Sequence, residues 1–165
     1  IIMAKAPSED DCYSLRGQRV TPLTESRIRL IATALCTALR IQKSTTKRMD
    51  VFMESLSTHG ISIEVVEDAE WCEVANAVCD PDPKICTIMV PDKLYSRICA
   101  KDANAIFILF HEIGHIILGH KPVLHYQESP VTMVEDSEWQ ADLFSEQVME
   151  IVGLSLHMKQ MSLFK

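Results

Sequence analysis

His111 and His115 stand four residues apart with Glu112 beside the first, and this is where the chain's capacity for chemistry concentrates. On an α-helix, residues i and i+4 project from one face a turn apart, so two imidazole nitrogens can share one zinc ion. A glutamate next to the first ligand is placed to take a proton from a water that the metal has acidified, and later to return it to a leaving amine. The H-E-x-x-H string is a signature of zinc proteases, but with only three fixed positions it also arises by chance in helices. Its surroundings therefore decide. The preceding run 105–110 is apolar and Gly114 leaves room on the helix surface, whereas a chance match falls more often on a polar surface helix. Histidine and glutamate buried there without partners would be costly, which favours a bound zinc.

A catalytic zinc takes a third protein ligand and leaves a fourth position for water. His120 is near in sequence, but it lies five residues after His115, about 140° round a continued helix, and is expected to point away. The metzincin pattern requires glycine and histidine three and six residues after the second histidine; Leu118 and Lys121 stand there instead, which excludes that class. Glu135 and Glu138 follow in the next predicted helix. Glu135 already closes a capping box with Thr132, so Glu138 is the better ligand. Asp142, one turn beyond Glu138, can accept a hydrogen bond from the outer nitrogen of a ligand histidine and so fix its ring. A donor to a developing oxyanion is also required, and His125, Tyr126 and Tyr95 are candidates that spacing does not separate.

These residues need elements to position them. Thr21-Pro22 reads as an N-cap with proline at the first helical position, and Leu23, Ile28, Ile31, Leu35 and Leu39 recur at helical spacing, so a first helix is expected over about 22–41. A second starts near Ser44 or Thr45, carries Met49, Phe52, Met53 and Leu56 inward, and stops at Gly60. The period then changes. Ile61, Ile63 and Val65 alternate with polar residues, and apolar runs at 74–79 and 85–90 flank Asp80-Pro81-Asp82-Pro83, which predicts a small antiparallel sheet. Asp102 caps a third helix running to about Leu118, with Gly119 ending it. A fourth helix starts at the Thr132/Glu135 capping box and runs to about Gly153. The expectation is one α+β unit: a flexible arm over 1–20, a helical zincin-like domain with a small antiparallel sheet over 21–153, and a tail over 154–165.

Taken together, the run from His111-Glu112-Ile113-Gly114-His115 through Gly119-His120, followed by Glu138-Trp139-Gln140-Ala141-Asp142-Leu143-Phe144, resembles the ImmA/IrrE family of metallopeptidases over about residues 45–150. In that family a strand leads into the H-E-x-x-H helix, and a glutamate from an E-x-x-A-[N/D]-x-F motif completes the site. The resemblance implies a gluzincin-type zinc peptidase of bacteria or their mobile elements, with His111, His115 and Glu138 as ligands and Glu112 as general base. It also implies a helix-turn-helix repressor as partner and substrate. No such module is found in the first 100 residues, so that partner is expected on a separate chain. The chain departs from the family pattern after Phe144, where Ser145 replaces the usual alanine and Val148-Met149-Glu150 replaces a Leu-Leu-Met-Pro ending.

Composition bounds these readings. A chain of 165 residues with 47% hydrophobic and 24% charged residues is ordinary globular material. The net charge of −7 repels phosphate backbones, so direct nucleic-acid binding is not expected. Neither a bilayer-spanning run nor a secretory leader is read, and a cytoplasmic location is expected. The six cysteines are scattered without a C-x-x-C pair, and reduced thiols are expected, with a Cys79–Cys86 hairpin pair as the less favoured reading. At the end, Gln160, Leu163 and Phe164 form a string that resembles the peptide by which bacterial proteins dock on the replication sliding clamp. Packing of Leu163 and Phe164 on the protein's own core is the favoured reading and clamp docking the alternative. For the whole chain, a zinc endopeptidase acting on one protein is favoured over a non-hydrolytic binding or toxin module of a toxin-antitoxin pair. A structural zinc site has no need of Glu112, and such sites are usually rich in cysteine, which is absent near this motif.

Overall fold

A computed structural model describes residues 13–67, 75–79, 85–120 and 130–156. Among the described residues, five α-helices and three strands follow in the order α1 (Glu25–Leu39), α2 (Met49–Ser55), β1 (Ile61–Val66), β2 (Asn76–Cys79), β3 (Cys86–Pro91), α3 (Asp92–Cys99), α4 (Ala103–Ile117) and α5 (Ser137–Val152). The α+β expectation holds. The antiparallel sheet does not: the strand order is β1-β3-β2, and although β2 and β3 pair antiparallel, β1 runs parallel to β3 with Ile61 opposite Cys86 and Val65 opposite Val90. Alternation in 61–66 reveals a strand but carries no information about direction, which the connection between strands sets.

At α1 the expected Thr21-Pro22 start is three residues early. Thr24 is the N-cap, its hydroxyl accepting from the Arg27 amide at 3.3 Å. Ile28, Ala32 and Cys36, one turn apart, form the buried face that packs against α5. The second expected helix divides into a 3-10 segment Lys43–Arg48, α2, and a 3-10 turn Leu56–His59 that Gly60 closes in the left-handed conformation, φ 81°. Met49, Phe52, Met53 and Leu56 are all buried, as the periodicity requires. Helix α3 was not anticipated, and along the chain it stands between β3 and the motif helix. Its apolar signal is short, Leu94 and Ile98 a turn apart, and Pro91 at its N-cap offers no side-chain bond.

Asp102 caps α4 as expected, accepting from the amides of Asn104 at 2.9 Å and Ala105 at 3.2 Å. Ala105, Ile106, Leu109 and Phe110 have no exposure, so α4 is the central rod: α5 lies along it on one side, and α3 and the sheet pack on it elsewhere. The Thr132/Glu135 capping box also forms, with the Thr132 amide donating to Glu135 at 3.0 Å, but it closes only a 3-10 turn, Met133–Glu135. The N-cap of α5 is Asp136, which accepts from the Glu138 amide at 2.9 Å.

The segment 13–20, expected within a flexible arm, is tied to the start of α5. The fully buried Asp136 carboxylate accepts from the Tyr13 hydroxyl at 2.5 Å and from the amides of Arg16 at 2.9 Å and Gly17 at 3.2 Å. The Gln18 amide donates to the Ser137 hydroxyl, and the Val20 amide to the Glu135 carbonyl. Residues 1–12 of the expected arm and the clamp-like residues Gln160, Leu163 and Phe164 lie outside the described residues. Cys36 and Cys99 are free thiols, whereas Cys86 is disulfide-bonded, which corrects the expectation of reduced cysteines at that position. Cys79 is its register partner across the β2–β3 pair. Among the described residues no helix is long and apolar enough to cross a membrane.

Candidate metal centre

Helices α4 and α5 lie close enough for side chains from both to meet. At Gly114 a Cβ would stand 3.0 to 3.3 Å from Cδ1, Cγ and Cβ of the fully buried Phe144, so glycine is what lets α5 approach α4 at this level. The room anticipated on the helix surface is occupied by a neighbouring helix. Next to Phe144, Ser145 is also fully buried and donates to the carbonyl of Phe107, one turn before His111, at 2.7 Å. Ser145 is thus a buried tie between the two helices.

His111, His115 and Glu138 converge. Nε2 of His111 and of His115 lie 3.0 Å apart, and the Glu138 carboxylate reaches them at 2.9 Å and 3.3 Å respectively. The three ligand atoms lie within 4.8 Å of one another, so the group could hold a metal ion. Two imidazoles and one carboxylate are a donor set that zinc accepts, with a further position left for water or substrate.

The outer nitrogens of both imidazoles are occupied. Nδ1 of His111 donates to Asp142 at 2.8 Å, and the other Asp142 oxygen pairs with the Arg16 guanidinium at 2.9 Å. On the other ring, Nδ1 of His115 lies 2.8 Å from Nδ1 of His120, whose Nε2 lies 2.8 Å from the Gln140 amide oxygen. The contact between His115 and His120 overturns the expectation that His120 points away. The helix does not continue to 120: Gly119 turns left-handed at φ 63°, its amide donates to the Ile116 carbonyl and the His120 amide to the His115 carbonyl. That closing pattern folds the third residue past the helix back over the third from its end, which here places His120 on His115. The glycine in the sequence was the available signal.

Electrostatics follow from these neighbours. Burial pulls the His111 imidazolium down, but the Asp142 and Glu138 carboxylates outweigh it and raise its pKa to about 9. Hydrogen bonds from His111 and His115 push Glu138 well below the usual carboxylate range against the cost of burial. Desolvation lowers His120. Glu112 is buried, 7% exposed, on the helix between His111 and His115. Glu135 bonds to Arg19 and the Thr132 amide and takes no part in the cluster. Tyr95 lies on α3 beside Cys99, while His125 and Tyr126 are outside the described residues.

Arg16 and the carboxamide of Gln140 also adjoin the cluster, through Asp142 and His120, and neither contact was expected from the sequence. Arg16 sits in a segment without periodicity, and only the fold brings it to Asp142.

No protein-family model, curated protein or solved structure matches the chain.

Proposed function

We propose that the protein is a zinc-dependent endopeptidase of gluzincin type with a zincin-like fold, akin to the ImmA/IrrE metallopeptidases. Its proposed substrate is a specific protein partner on a separate chain, such as a helix-turn-helix regulator, in the cytoplasm. The observation that carries this reading is the convergence of His111, His115 and Glu138, with both outer imidazole nitrogens already engaged and Glu112 buried on the same helix.

In this reading His111, His115 and Glu138 hold the ion, and zinc when bound supplies Lewis acidity that brings the pKa of a water towards neutrality and polarises a scissile carbonyl. Glu112 is the proton carrier, receiving a proton from the attacking water and delivering it to the leaving amine. Asp142 and Arg16 hold the ring of His111, and their charges offset each other, so the carboxylate that orients the ligand is itself partnered.

The test is cleavage of a co-expressed helix-turn-helix repressor by zinc-loaded wild type and by Glu112→Gln. The variant should retain zinc and lose about 10²–10⁴-fold in cleavage rate, the usual contribution of a general base. Cleavage by Glu112→Gln at the wild-type rate would remove Glu112 from its role and the peptidase reading with it.

A further inference from the structure

Two side chains and two backbone carbonyls stand in line behind His115, and their chemistry fixes which of them carries each proton. Gln140 is fully buried, and its side-chain nitrogen lies 2.9 Å from the carbonyl oxygen of Thr21 and 2.7 Å from that of Val134. Carbonyl oxygens only accept, so the NH₂ end of the amide must face them; an oxygen placed there would confront two others. The amide oxygen of Gln140 therefore faces His120, and across 2.8 Å it can only receive a proton from Nε2. A neutral His120 with its proton on Nε2 has a bare Nδ1, which accepts across 2.8 Å from Nδ1–H of His115.

With its proton on Nδ1, His115 presents the lone pair of Nε2 towards His111 and Glu138. That is the form a metal ligand requires. The two ends of the chain impose the same sense: two backbone carbonyls dictate it from behind, and metal ligation demands it in front.

We infer that His120 is a positioning residue which, oriented by Gln140, fixes His115 as the Nδ1–H tautomer with Nε2 free for the metal. The inference rests on the metal-centre reading above. It assigns the two ligand histidines different supports: His111 is backed by a carboxylate, and His115 by a neutral imidazole whose orientation is set by buried backbone carbonyls. His120 differs from an ordinary helix-end residue in that both of its ring nitrogens are committed.

Two measurements on the full chain test it. Long-range proton–nitrogen NMR of the zinc-loaded, ¹⁵N-histidine-labelled wild type should show His120 neutral with its proton on Nε2, and His115 protonated on Nδ1. A doubly protonated His120, or one protonated only on Nδ1, overturns the inference. Zinc affinity is then compared for His120→Leu and His120→Gln, of similar size. Glutamine offers the same acceptor towards His115 and donor towards Gln140, and leucine offers neither. The leucine variant should bind zinc about 10–100-fold more weakly and shift the visible absorption of the cobalt-substituted site, with glutamine closer to wild type. Equal affinities of the two variants overturn the inference while leaving the metal centre intact; a wild type that binds no zinc overturns both.

Discussion

At the scale of the residue, the site is a small set of charges whose protonation is set by one another. In the metal-free protein His111 has a pKa of about 9 because two carboxylates outweigh its burial. A folded-state pKa raised above the unfolded value stabilises the metal-free fold fully below the ordinary 6.5, and that contribution is lost as pH rises through about 9. Zinc must displace the same proton, so its affinity should climb about tenfold per pH unit from neutrality towards 9 and then level off. Chelator competition across that range checks this, and a flat profile would contradict it. Glu138, depressed by the two histidines, contributes on the acid side: its stabilisation is present above the ordinary carboxylate pKa and lost as pH falls through the depressed value. Arg16 acts one bond further out. Arg16→Met keeps much of the side chain's length but removes its ion pair with Asp142, and it should weaken zinc binding by about tenfold with little change in melting temperature. An unchanged affinity would show that Asp142 orients His111 unaided.

At the scale of the element, what matters is how closely α4, α5 and the 13–20 segment approach. Alanine at Gly114 gains about 1 kcal/mol of helix propensity, but it drives a Cβ against the Phe144 ring. Overpacking of this kind costs about 1–3 kcal/mol, so Gly114→Ala should be destabilised overall and should bind zinc less tightly as α5 is pushed back. Thermal melts with and without chelator check this; a more stable variant would mean that Phe144 gives way without cost. Gly17 is tighter still. A Cβ there would collide with the Ser137 hydroxyl and stand 2.6 Å from Cγ of Glu138, so Gly17→Ala should displace the carboxylate ligand and lower zinc affinity more than Gly114→Ala does.

The motif helix was legible because Asp102 is a strong cap and the apolar residues of 105–110 leave no polar face, and Gly60 and Gly153 also fall where the helices end. The place of Glu138 beside the two histidines was legible for a related reason: Glu135 had a local partner in Thr132, which left the next carboxylate free of that role. The direction of β1 was not, since a parallel pairing depends on a connection rather than on the strand's own residues. Nor was His120, because a rotation of 100° per residue applies only while the helix continues, and Gly119 ends it one residue earlier.

At the scale of the molecule, the centre joins parts of the chain far apart in sequence. Residues 13–20 support Asp136 and Asp142, α4 supplies two histidines and the buried glutamate, and α5 supplies Glu138. A metal held across α4 and α5 binds only the folded form, so it should raise stability by the linkage relation, about 4 kcal/mol at a thousandfold excess over the dissociation constant. Removal of the metal should therefore lower the melting temperature. The 13–20 segment, with its bonds to buried Asp136, was unreadable for the same long-range reason that makes it effective: nothing near Tyr13 or Arg16 in the sequence announces a partner more than a hundred residues away.

The most direct test of the metal centre is the zinc content of the purified full chain beside Glu138→Ala, Glu135→Ala and Glu112→Gln. One zinc per chain is expected in wild type, Glu135→Ala and Glu112→Gln, and its loss from Glu138→Ala. Wild type without zinc, or Glu138→Ala that holds it as tightly as wild type, would contradict the account.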